Sequence, residues 1–429
     1  MSMPQPDVLI SVEEHLARIL DAIKGAAPVD VPIADALGLV LAEDIDASAP
    51  LPGFDNSGMD GYAVVASDLE GASENAPLTL PVLGDIAAGA ASITSLEPGS
   101  AVRIMTGAPV PSGCTAVVPV EWTDTGVDRV QIYRQPAVGQ HIRRLGEDVH
   151  TGDRLLSRGV CITAREIAAI VSDGRASIRA YPRPHVVVLS TGAELRAPGE
   201  PLGHDSIYDS NSYMLAAQVQ TLGATVTRVG LVTDDAAEFT RRLGEHLVGA
   251  DAVITSGGVS KGAYDVVKEA LIEQVQFDTV AMQPGKPQGF GTINSVPIFT
   301  LPGNPVSAYI SFEVFVLPAL RKLMGLATWS RPAHEAMLTE PLRSAPGKRQ
   351  FLRGRVCLEG EEPTVVPMGG PGSHLVAGLA ANNDPARLNF LLIDFKGGAA
   401  FAACERLPHT IGTVSNLDEQ LADRALRAL

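Results

Sequence analysis

The sequence predicts a multidomain α/β protein. We expect a central parallel-sheet domain flanked by a small all-β module, an N-terminal mixed α/β segment and a C-terminal β-barrel-like domain. From residue 184 to about residue 325, short apolar runs such as HVVVLS alternate with helical patterns such as NSYMLAAQVQTLG. That alternation is typical of a parallel sheet with helices on both faces. Residues 50–140, and those after about residue 330, instead contain short β-like runs separated by glycine and proline.

Four parts are expected along the chain, which has 429 residues, 45% of them hydrophobic and 19% charged. This composition excludes a disordered protein and is sufficient for several hydrophobic cores. The first part contains a helix whose start is marked by a capping box of Ser11 and Glu14. The parts are residues 8–49 together with 141–180, residues 50–140, residues 181–327 and residues 330–412.

Charge and residue usage exclude several classes of protein. The net charge of −16 makes the chain a poor candidate for a general nucleic-acid coat or for binding to an anionic membrane surface. The four cysteines form no CxxC and the nine histidines no HExxH, which argues against a Cys/His metal site. The N-terminus has no basic region before an apolar stretch, and no run approaches about 18 apolar residues. We therefore expect a cytoplasmic protein that contacts neither nucleic acid nor membrane.

The segment ITSGGVSKGAYD follows a predicted buried strand of the central domain. Gly257 and Gly258 allow the backbone to approach an oxyanion closely, and Ser260 adds a hydroxyl donor. Lys261 adds a positive charge. Ligands of such sheets bind outside the carboxyl ends of the strands, where this segment lies. An ordinary glycine-rich turn is the alternative interpretation.

Two further segments suit an oxyanion at the same sheet edge. In FTLPGNPVSA, a strand is followed by Gly303, by Asn304 as a cap and by a helix whose first turn carries Ser307. In MQPGKPQGFG, residues 282–291, proline and glycine predict a loop that carries Lys286. Simple helix capping and a solvent-facing lysine are the alternatives. Three such segments at one edge are stronger evidence than any one of them.

Carboxylates at this edge predict a divalent cation. The STGAEL segment supplies Ser190 and Thr191 as donors and Glu194 as a carboxylate. Asp234 and Asp265 follow other strands of the domain, so the three carboxylates form a candidate site for Mg²⁺ near a phosphate. Solvated caps at the ends of strands are the alternative.

Candidate site residues also lie outside the central domain. Asp60 lies in a dense polar stretch, PLPGFDNSGMDGYAV, which is either a turn network or a site, and Thr106 lies in the turn-rich RIMTGAPVPSG. Near the C-terminus, GKRQFLRGRV is the densest basic cluster of this acidic chain. It includes Arg353 and Arg355, which suit a phosphate or another oxyanion unless they form a solvated strand face.

Taken together, these strings resemble the molybdopterin molybdenumtransferase family, which comprises MoeA and the E domain of gephyrin. PLPGFDNSGMDGYAV, RIMTGAPVPSG, GEDV, STGAEL, SGGVSKGAYD, PGKPQGFG, LPGNPVSA and FLRGRV occur in the family order. The resemblance runs from about residue 8 to residue 412. It implies an elongated homodimer of four-part subunits, in which residues 8–49 and 141–180 form a linker and dimerisation domain. It also implies that the central domain binds molybdopterin and is similar to the adenylyltransferase partner (MogA-like).

The resemblance implies insertion of molybdenum into molybdopterin. Adenylylated molybdopterin and molybdate would react with Mg²⁺ or a similar divalent ion to give molybdenum cofactor, AMP and water. Contacts with the adenylyltransferase partner and with molybdoenzymes are implied as well. By motif match, Asp60, Glu194 and Asp265 are the catalytic acids, with Asp60 acting at the partner subunit's site. The matched substrate-binding residues are Thr106, Ser190, Thr191, Gly257, Gly258, Ser260, Lys261, Lys286, Pro302, Gly303, Asn304, Ser307, Arg353 and Arg355.

One departure from the family pattern concerns a cation. The family often has lysine where this chain has Gln283, which removes a positive charge beside Lys286. We expect Lys261 to compensate. Two other functions fit less well: a molybdopterin adenylyltransferase, which leaves the flanking β modules unexplained, and a non-catalytic cofactor carrier or scaffold. Retention of all three catalytic acids argues against a pure scaffold.

Overall fold

The computed structural model describes residues 9–89, 95–232, 235–258, 266–344, 346–357, 363–368, 372 and 374, with the backbone of 388–394 and 410–415. The predicted site residues Asp234, Ser260, Lys261 and Asp265 lie outside these residues. Within them, no helix combines the length and the apolar character needed to cross a membrane.

Among residues 9–89 and 95–181, short strands are accompanied by two α-helices. The helices are α1 (Val12–Ala22) and α2 (Ala164–Ser172). The strands are β1 (Leu9–Ile10), β2 (Val29–Pro32), β3 (Val40–Leu41), β4 (Ile45–Asp46), β5 (Asn56–Ser57), β6 (Gly61–Val64), β7 (Leu78–Ile86), β8 (Ala101–Ile104), β9 (Ala116–Pro119), β10 (Arg129–Ile132), β11 (Ile142–Arg143), β12 (Arg154–Leu156) and β13 (Ser177–Tyr181).

Helix α1 begins where the sequence predicts. The Ser11 hydroxyl accepts a hydrogen bond from the Glu14 N–H at 3.0 Å, which satisfies a free donor of the first turn. The buried face of α1, with Val12 and Ile19, belongs to the same apolar cluster as Phe315. Strand β1 lies parallel to a strand of the central sheet, so residues 9–22 pack with the central domain. The domain boundaries stay predictions.

Two small units precede the central domain. Strands β2 and β3 pair with β13, and β4 pairs with β12, so the segments before and after the inserted module form one unit. The inserted module is a five-stranded sheet in the order β10–β7–β8–β6–β9. It is antiparallel except between β7 and β8. Tyr62, Leu69 and Ile132 are fully buried in it.

The central domain alternates strands and helices. Its helices are α3 (Asn211–Thr221), α4 (Ala236–Leu247), α5 (Val266–Leu271), α6 (Pro305–Ser311) and α7 (Leu317–Leu323). Its strands are β14 (His185–Ser190), β15 (Leu195–Arg196), β16 (Ile207–Tyr208), β17 (Thr225–Arg228), β18 (Ala252–Ser256), β19 (Val275–Val280), β20 (Met282–Gln283), β21 (Pro287–Ile293) and β22 (Val296–Leu301).

The central sheet is mixed, so the prediction of a parallel sheet is only partly correct. Its order is β1–β19–β21–β22–β18–β14–β17, and β17, β14, β18 and β22 are parallel. Strand β21 is antiparallel to both neighbours. Asn294 and Ser295, both with positive φ, join β21 to β22 in a two-residue hairpin turn. Residues 287–291, predicted as part of a loop, therefore form a strand.

The long helix predicted after LPGN is present but contains a π turn. Helix α6 continues through a π-helical segment, Phe312–Val316, into α7. Pro318 has no N–H to donate within the helix, so the regular ladder is broken at this point. The segment is completely buried, with Phe312 and Phe315 among the largest buried side chains.

The C-terminal part forms a mixed sheet. Its strands are β23 (Met337–Leu338), β24 (Arg349–Cys357), β25 (Thr364–Pro367), β26 (Leu388–Asp394) and β27 (Thr410–Ser415). Their order is β23–β25–β24–β26–β27. Strand β20 of the central domain also pairs with β24, through Met282 with Arg349 and Gln283 with Gln350. The barrel-like closure expected from the sequence is not confirmed.

Candidate functional site

The carboxyl ends of three parallel strands lie side by side. Ser190 at the end of β14 is level with Ser256 at the end of β18, and Ser256 is level with Leu301 at the end of β22. Because adjacent strands are about 4.8 Å apart, the loops that follow these residues begin next to each other. The expected convergence of the STGAEL, SGG and LPGN segments at one edge is therefore present.

The backbone of Gly257 is packed too closely for a side chain. Its φ is +94°, and a Cβ atom there would lie 2.7 Å from the carbonyl oxygen of Thr191. A Cβ on Gly303 would lie 3.5 Å from the Cα of Gly257. Gly258 also has a positive φ, of 68°. The glycines thus bring the three loops into direct backbone contact, which leaves main-chain groups at the edge to face a ligand.

The LPGN turn leads directly into α6. Pro302 and Ser307 are buried, whereas Gly303 and Asn304 are exposed. Asn304 is the N-cap residue, and Pro305 occupies the first helical turn, where its missing N–H costs nothing. Among the described residues of the edge, the exposed turn and the free donors of the helix start suit a phosphate group.

Asn211 joins two of these loops, although the residues predicted from the sequence do not include it. Its Nδ2 donates to the Ser256 hydroxyl at 2.8 Å and to the Gly303 carbonyl at 2.6 Å. The side chain is 9% exposed, and its Oδ1 has no partner among the described residues. A polar residue opening a helix is an ordinary sequence pattern, so no local signal distinguishes Asn211 from a capping residue.

Lys286 lies at the same edge because of the hairpin. Strand β21 runs opposite to β22, so its beginning lies beside the carboxyl end of β22. The Lys286 carbonyl accepts from the N–H of Val280, at the end of β19. Lys286 is half-buried. Buried Gln288 holds the turn by donating to the Gly285 carbonyl and to the Ser311 hydroxyl of α6, both at 2.6 Å. The sequence did not indicate this role of Gln288.

Glu194 is exposed just after β14, at the same edge. Gly192, with φ of +151°, allows the Glu194 carboxylate to lie over its backbone, since a Cβ there would be 2.7 Å from Oε2. Thr191 and Ser190 are buried, and the Ser190 hydroxyl has no partner among the described residues. The described residues contain no cluster of three potential metal ligands, and the other two predicted ligands lie outside them.

Asp60 and Thr106 lie in the inserted β module. Among the described residues, the Asp60 side chain bonds only to Thr106, whose N–H and hydroxyl both donate to Oδ1 at 2.7 Å. These hydrogen bonds, from the Thr106 N–H first, lower the pKa of Asp60 below its usual range. The carboxylate is exposed and remains ionised. Among the described residues of one chain, these two side chains are paired with each other and not with the central sheet edge.

The basic cluster near the C-terminus is divided between structural and exposed positions. Arg349 is buried and forms an ion pair with Glu13 of α1. Arg353 is also buried, whereas Arg355 is exposed. Since alternate residues of a strand share a face, all three arginines lie on one face of β24. Strand β24 begins beside β20, which leads into the Lys286 turn.

Family models of known proteins match most of the chain. The model of the MoeA N-terminal region (domains I and II) matches residues 10–174. The model described as "Probable molybdopterin binding domain" matches residues 187–322, and that of the MoeA C-terminal region (domain IV) matches residues 335–383. A model of the FtsK/SpoIIIE family matches residues 373–429. The sequence strings suggest a resemblance that runs to about residue 412, and the MoeA family models match as far as residue 383.

Curated relatives and solved structures that resemble this chain point to the same family as the family models. Molybdopterin molybdenumtransferase 2 of Mycobacterium tuberculosis is 49% identical over 87% of this chain and 94% of its own length. Molybdopterin molybdenumtransferase of Haemophilus influenzae is 39% identical over 81% of this chain and 86% of its own. The crystal structure of the molybdopterin biosynthesis moeA protein of Pyrococcus horikoshii has a TM-score of 0.74 at 28% identity, covering 91% and 96% of the two chains.

The fold and the site define an enzyme of molybdenum cofactor biosynthesis. The chain belongs to the MoeA family of molybdopterin molybdenumtransferases. The family resemblance indicated by the eight sequence strings is confirmed.

Proposed function

We propose that this chain inserts molybdate into adenylylated molybdopterin and releases AMP and water. The observation that carries the proposal is the convergence of the STGAEL, SGG and LPGN loops at one sheet edge, with Ser190, Ser256 and Leu301 level with one another. Backbone donors, hydroxyls and the start of α6 suit the pyrophosphate of the adenylylated substrate. Catalysis is then mainly positioning and neutralisation of charge as the pyrophosphate bond breaks.

Cations at the edge suit the second substrate. Lys286 lies at the same edge as the phosphate-suited turn, and Arg353 and Arg355 share a face of β24, which begins beside β20, the strand before the Lys286 turn. We assign these three residues to binding of molybdate and substrate phosphates. The dithiolene sulfurs belong to the pterin, so no cysteine of the chain needs to bind molybdenum.

A divalent cation such as Mg²⁺ fits the donors at the edge. Glu194 offers an exposed carboxylate beside the end of β14, and oxygen ligands are those that Mg²⁺ prefers. We propose that Glu194, Asp234 and Asp265 hold the ion. A divalent ion held there would supply positive charge close to the bound pyrophosphate. Asp60, kept ionised by Thr106, acts at the site of the partner subunit in a homodimer.

Release of AMP tests the function. The purified chain is incubated with adenylylated molybdopterin and Mg²⁺, with and without molybdate, and AMP is measured for the natural chain and for Asp265→Ala. Molybdate-dependent AMP release that is lost in the variant supports the transferase. Tight substrate binding without AMP contradicts it and favours a carrier or scaffold. Adenylylation of molybdopterin by ATP would instead show an adenylyltransferase, a function that the matches of both flanking regions disfavour.

Gln283 defines a second test of molybdate binding. Since the family often has lysine at this position, we propose that Lys261 supplies the missing positive charge. Lys261→Ala should raise the KM for molybdate, and Gln283→Lys in that background should lower it again. If Lys261→Ala leaves the dependence of the rate on molybdate unchanged, Lys261 has no such role.

A further inference from the structure

We propose that Asn211 is a positioning residue for the substrate pyrophosphate. It holds the SGG turn and the LPGN turn at a fixed spacing and orients the Ser256 hydroxyl as a hydrogen-bond donor. The inference rests on the proposed function and adds to it a residue on which correct placement of the substrate depends.

Asn211 contacts both turns through one amide nitrogen. Nδ2 donates to the Gly303 carbonyl and to the Ser256 hydroxyl. A carbonyl oxygen can only accept, so the contact with Gly303 fixes which end of the amide is the nitrogen. Both hydrogens of the NH₂ group are used, one for a group of each turn. The amide thus acts as a spacer of defined length at the place where the two loops meet.

The same contact determines the direction of the Ser256 hydroxyl. Because Ser256 accepts from Asn211, its own hydrogen points away from the amide and can be donated elsewhere. Ser256 immediately precedes Gly257, whose backbone contacts Thr191 and Gly303. The orientation of the Ser256 O–H group is therefore set by Asn211 before the substrate binds.

The start of α3 holds Asn211 rigidly. The buried Asp209 carboxylate accepts from the Ser212 N–H at 3.0 Å and from the Ser212 hydroxyl. Arg228 stacks on the Tyr213 ring at 3.7 Å and donates to the Ser212 hydroxyl at 3.4 Å. These contacts fix the first turn of α3 against β17, so the Asn211 amide is placed before any ligand arrives. Groups held in this way place a substrate without having to reorganise.

The amide is poorly suited to stability alone. Its buried Oδ1 has no partner among the described residues, and an unpaired buried acceptor is destabilising. The Gly303 carbonyl lies in an exposed turn, so water can replace the amide there. Asn211→Leu would, however, leave the buried Ser256 hydroxyl without the donor that it accepts from, so the free energy of unfolding is measured for each variant to separate a loss of positioning from a loss of folded protein.

The test compares Asn211→Leu with Gln218→Leu. Gln218 is also an amide of α3, but it contacts Glu313 two turns away from the edge. Rates of AMP release give kcat and KM for each substrate, and equilibrium dialysis gives the Kd for adenylylated molybdopterin. In Asn211→Leu we expect the KM and Kd for adenylylated molybdopterin to rise by about tenfold, with an unchanged KM for molybdate. Gln218→Leu should change neither constant.

A merely structural role would give a different result. Partial unfolding lowers the active fraction and hence kcat, but leaves both KM values in place. Unchanged KM and Kd in Asn211→Leu would therefore overturn the inference. If the natural chain releases no AMP, the proposed function fails, and the Kd comparison still decides the role of Asn211. Ser256→Ala combined with Asn211→Leu should raise the Kd by less than the product of the single effects.

Discussion

Thr106 donates two hydrogen bonds to one oxygen of Asp60, from its N–H and from its hydroxyl, each at 2.7 Å. This pairing links the two site residues predicted in the inserted β module. It keeps the Asp60 carboxylate ionised and fixes one of its oxygens, and among the described residues no side-chain hydrogen bond goes to the other oxygen.

Thr106→Val should remove the hydroxyl donor and keep the main-chain donor. Because hydrogen bonds from Thr106 lower the pKa of Asp60, its pKa should rise towards the ordinary value. The acid limb of kcat/KM should then move to higher pH, with little change above pH 6. A pH profile of AMP release checks this. Thr106→Ser, which keeps the hydroxyl, is the matched control, and an acid limb that does not move in the valine variant contradicts the role of Asp60.

Gln288→Leu should loosen the turn that carries Lys286. Gln288 donates to the Gly285 carbonyl and to the Ser311 hydroxyl, and both contacts would be lost. We expect the KM for molybdate to rise by roughly threefold to tenfold, because only part of the free energy of the two lost hydrogen bonds affects the position of Lys286. The exposed Gln276→Leu on β19 is the control. A KM for molybdate equal in both variants would show that the turn keeps its shape without Gln288.

Gly257→Ala should impair both folding and activity. The residue has a φ of +94°, and the new Cβ would lie 2.7 Å from the Thr191 carbonyl oxygen. Strain of this kind costs roughly 1–3 kcal/mol, and the displaced loops should no longer align with the substrate. Urea unfolding and AMP release measure the two effects. Gly230→Ala is the control, since no heavy atom lies within 4 Å of its new Cβ. Full activity in Gly257→Ala would exclude close packing of these loops.

His15 should make the fold sensitive to acid. Burial first, and the charge of Arg18 second, lower its pKa from 6.5 to about 3. Asp278 lies 3.3 Å from Nδ1 and favours protonation, but it already forms an ion pair with Arg18. The unfolded chain therefore binds more protons than the folded one between these pH values. The contribution of neutral His15 to the free energy of unfolding is complete above pH 6.5. It decreases as the pH falls towards 3, by up to roughly 4 kcal/mol.

The variant His15→Gln should flatten this dependence. The free energy of unfolding is measured in urea from pH 7 to pH 4 for the natural chain, for His15→Gln and for His150→Gln. His150 is largely exposed and serves as the control. A slope as steep in His15→Gln as in the natural chain would mean that other groups cause the loss of stability.

Local patterns predicted much of the fold. The cap at Ser11, the alternation of strands and helices, and the meeting of three loops at one edge follow from residues close in sequence. The hairpin was missed because Asn294–Ser295 lacks the glycine that usually marks such a turn. Asn211 and Gln288 were missed for another reason. Their partners, Gly303 and Ser311, are 92 and 23 residues away, and no local pattern encodes those contacts.

The two-residue turn at Asn294 and Ser295 restricts how this chain can evolve. Lys286 reaches the proposed substrate edge because β21 pairs antiparallel with β22, so that the beginning of β21 lies beside the carboxyl end of β22. One inserted residue in the turn would slide β21 by about 3.3 Å and reverse which face each side chain occupies. Surface turns usually accept changes in length, but this one should reject them, although it lies at the opposite end of the strand from the lysine.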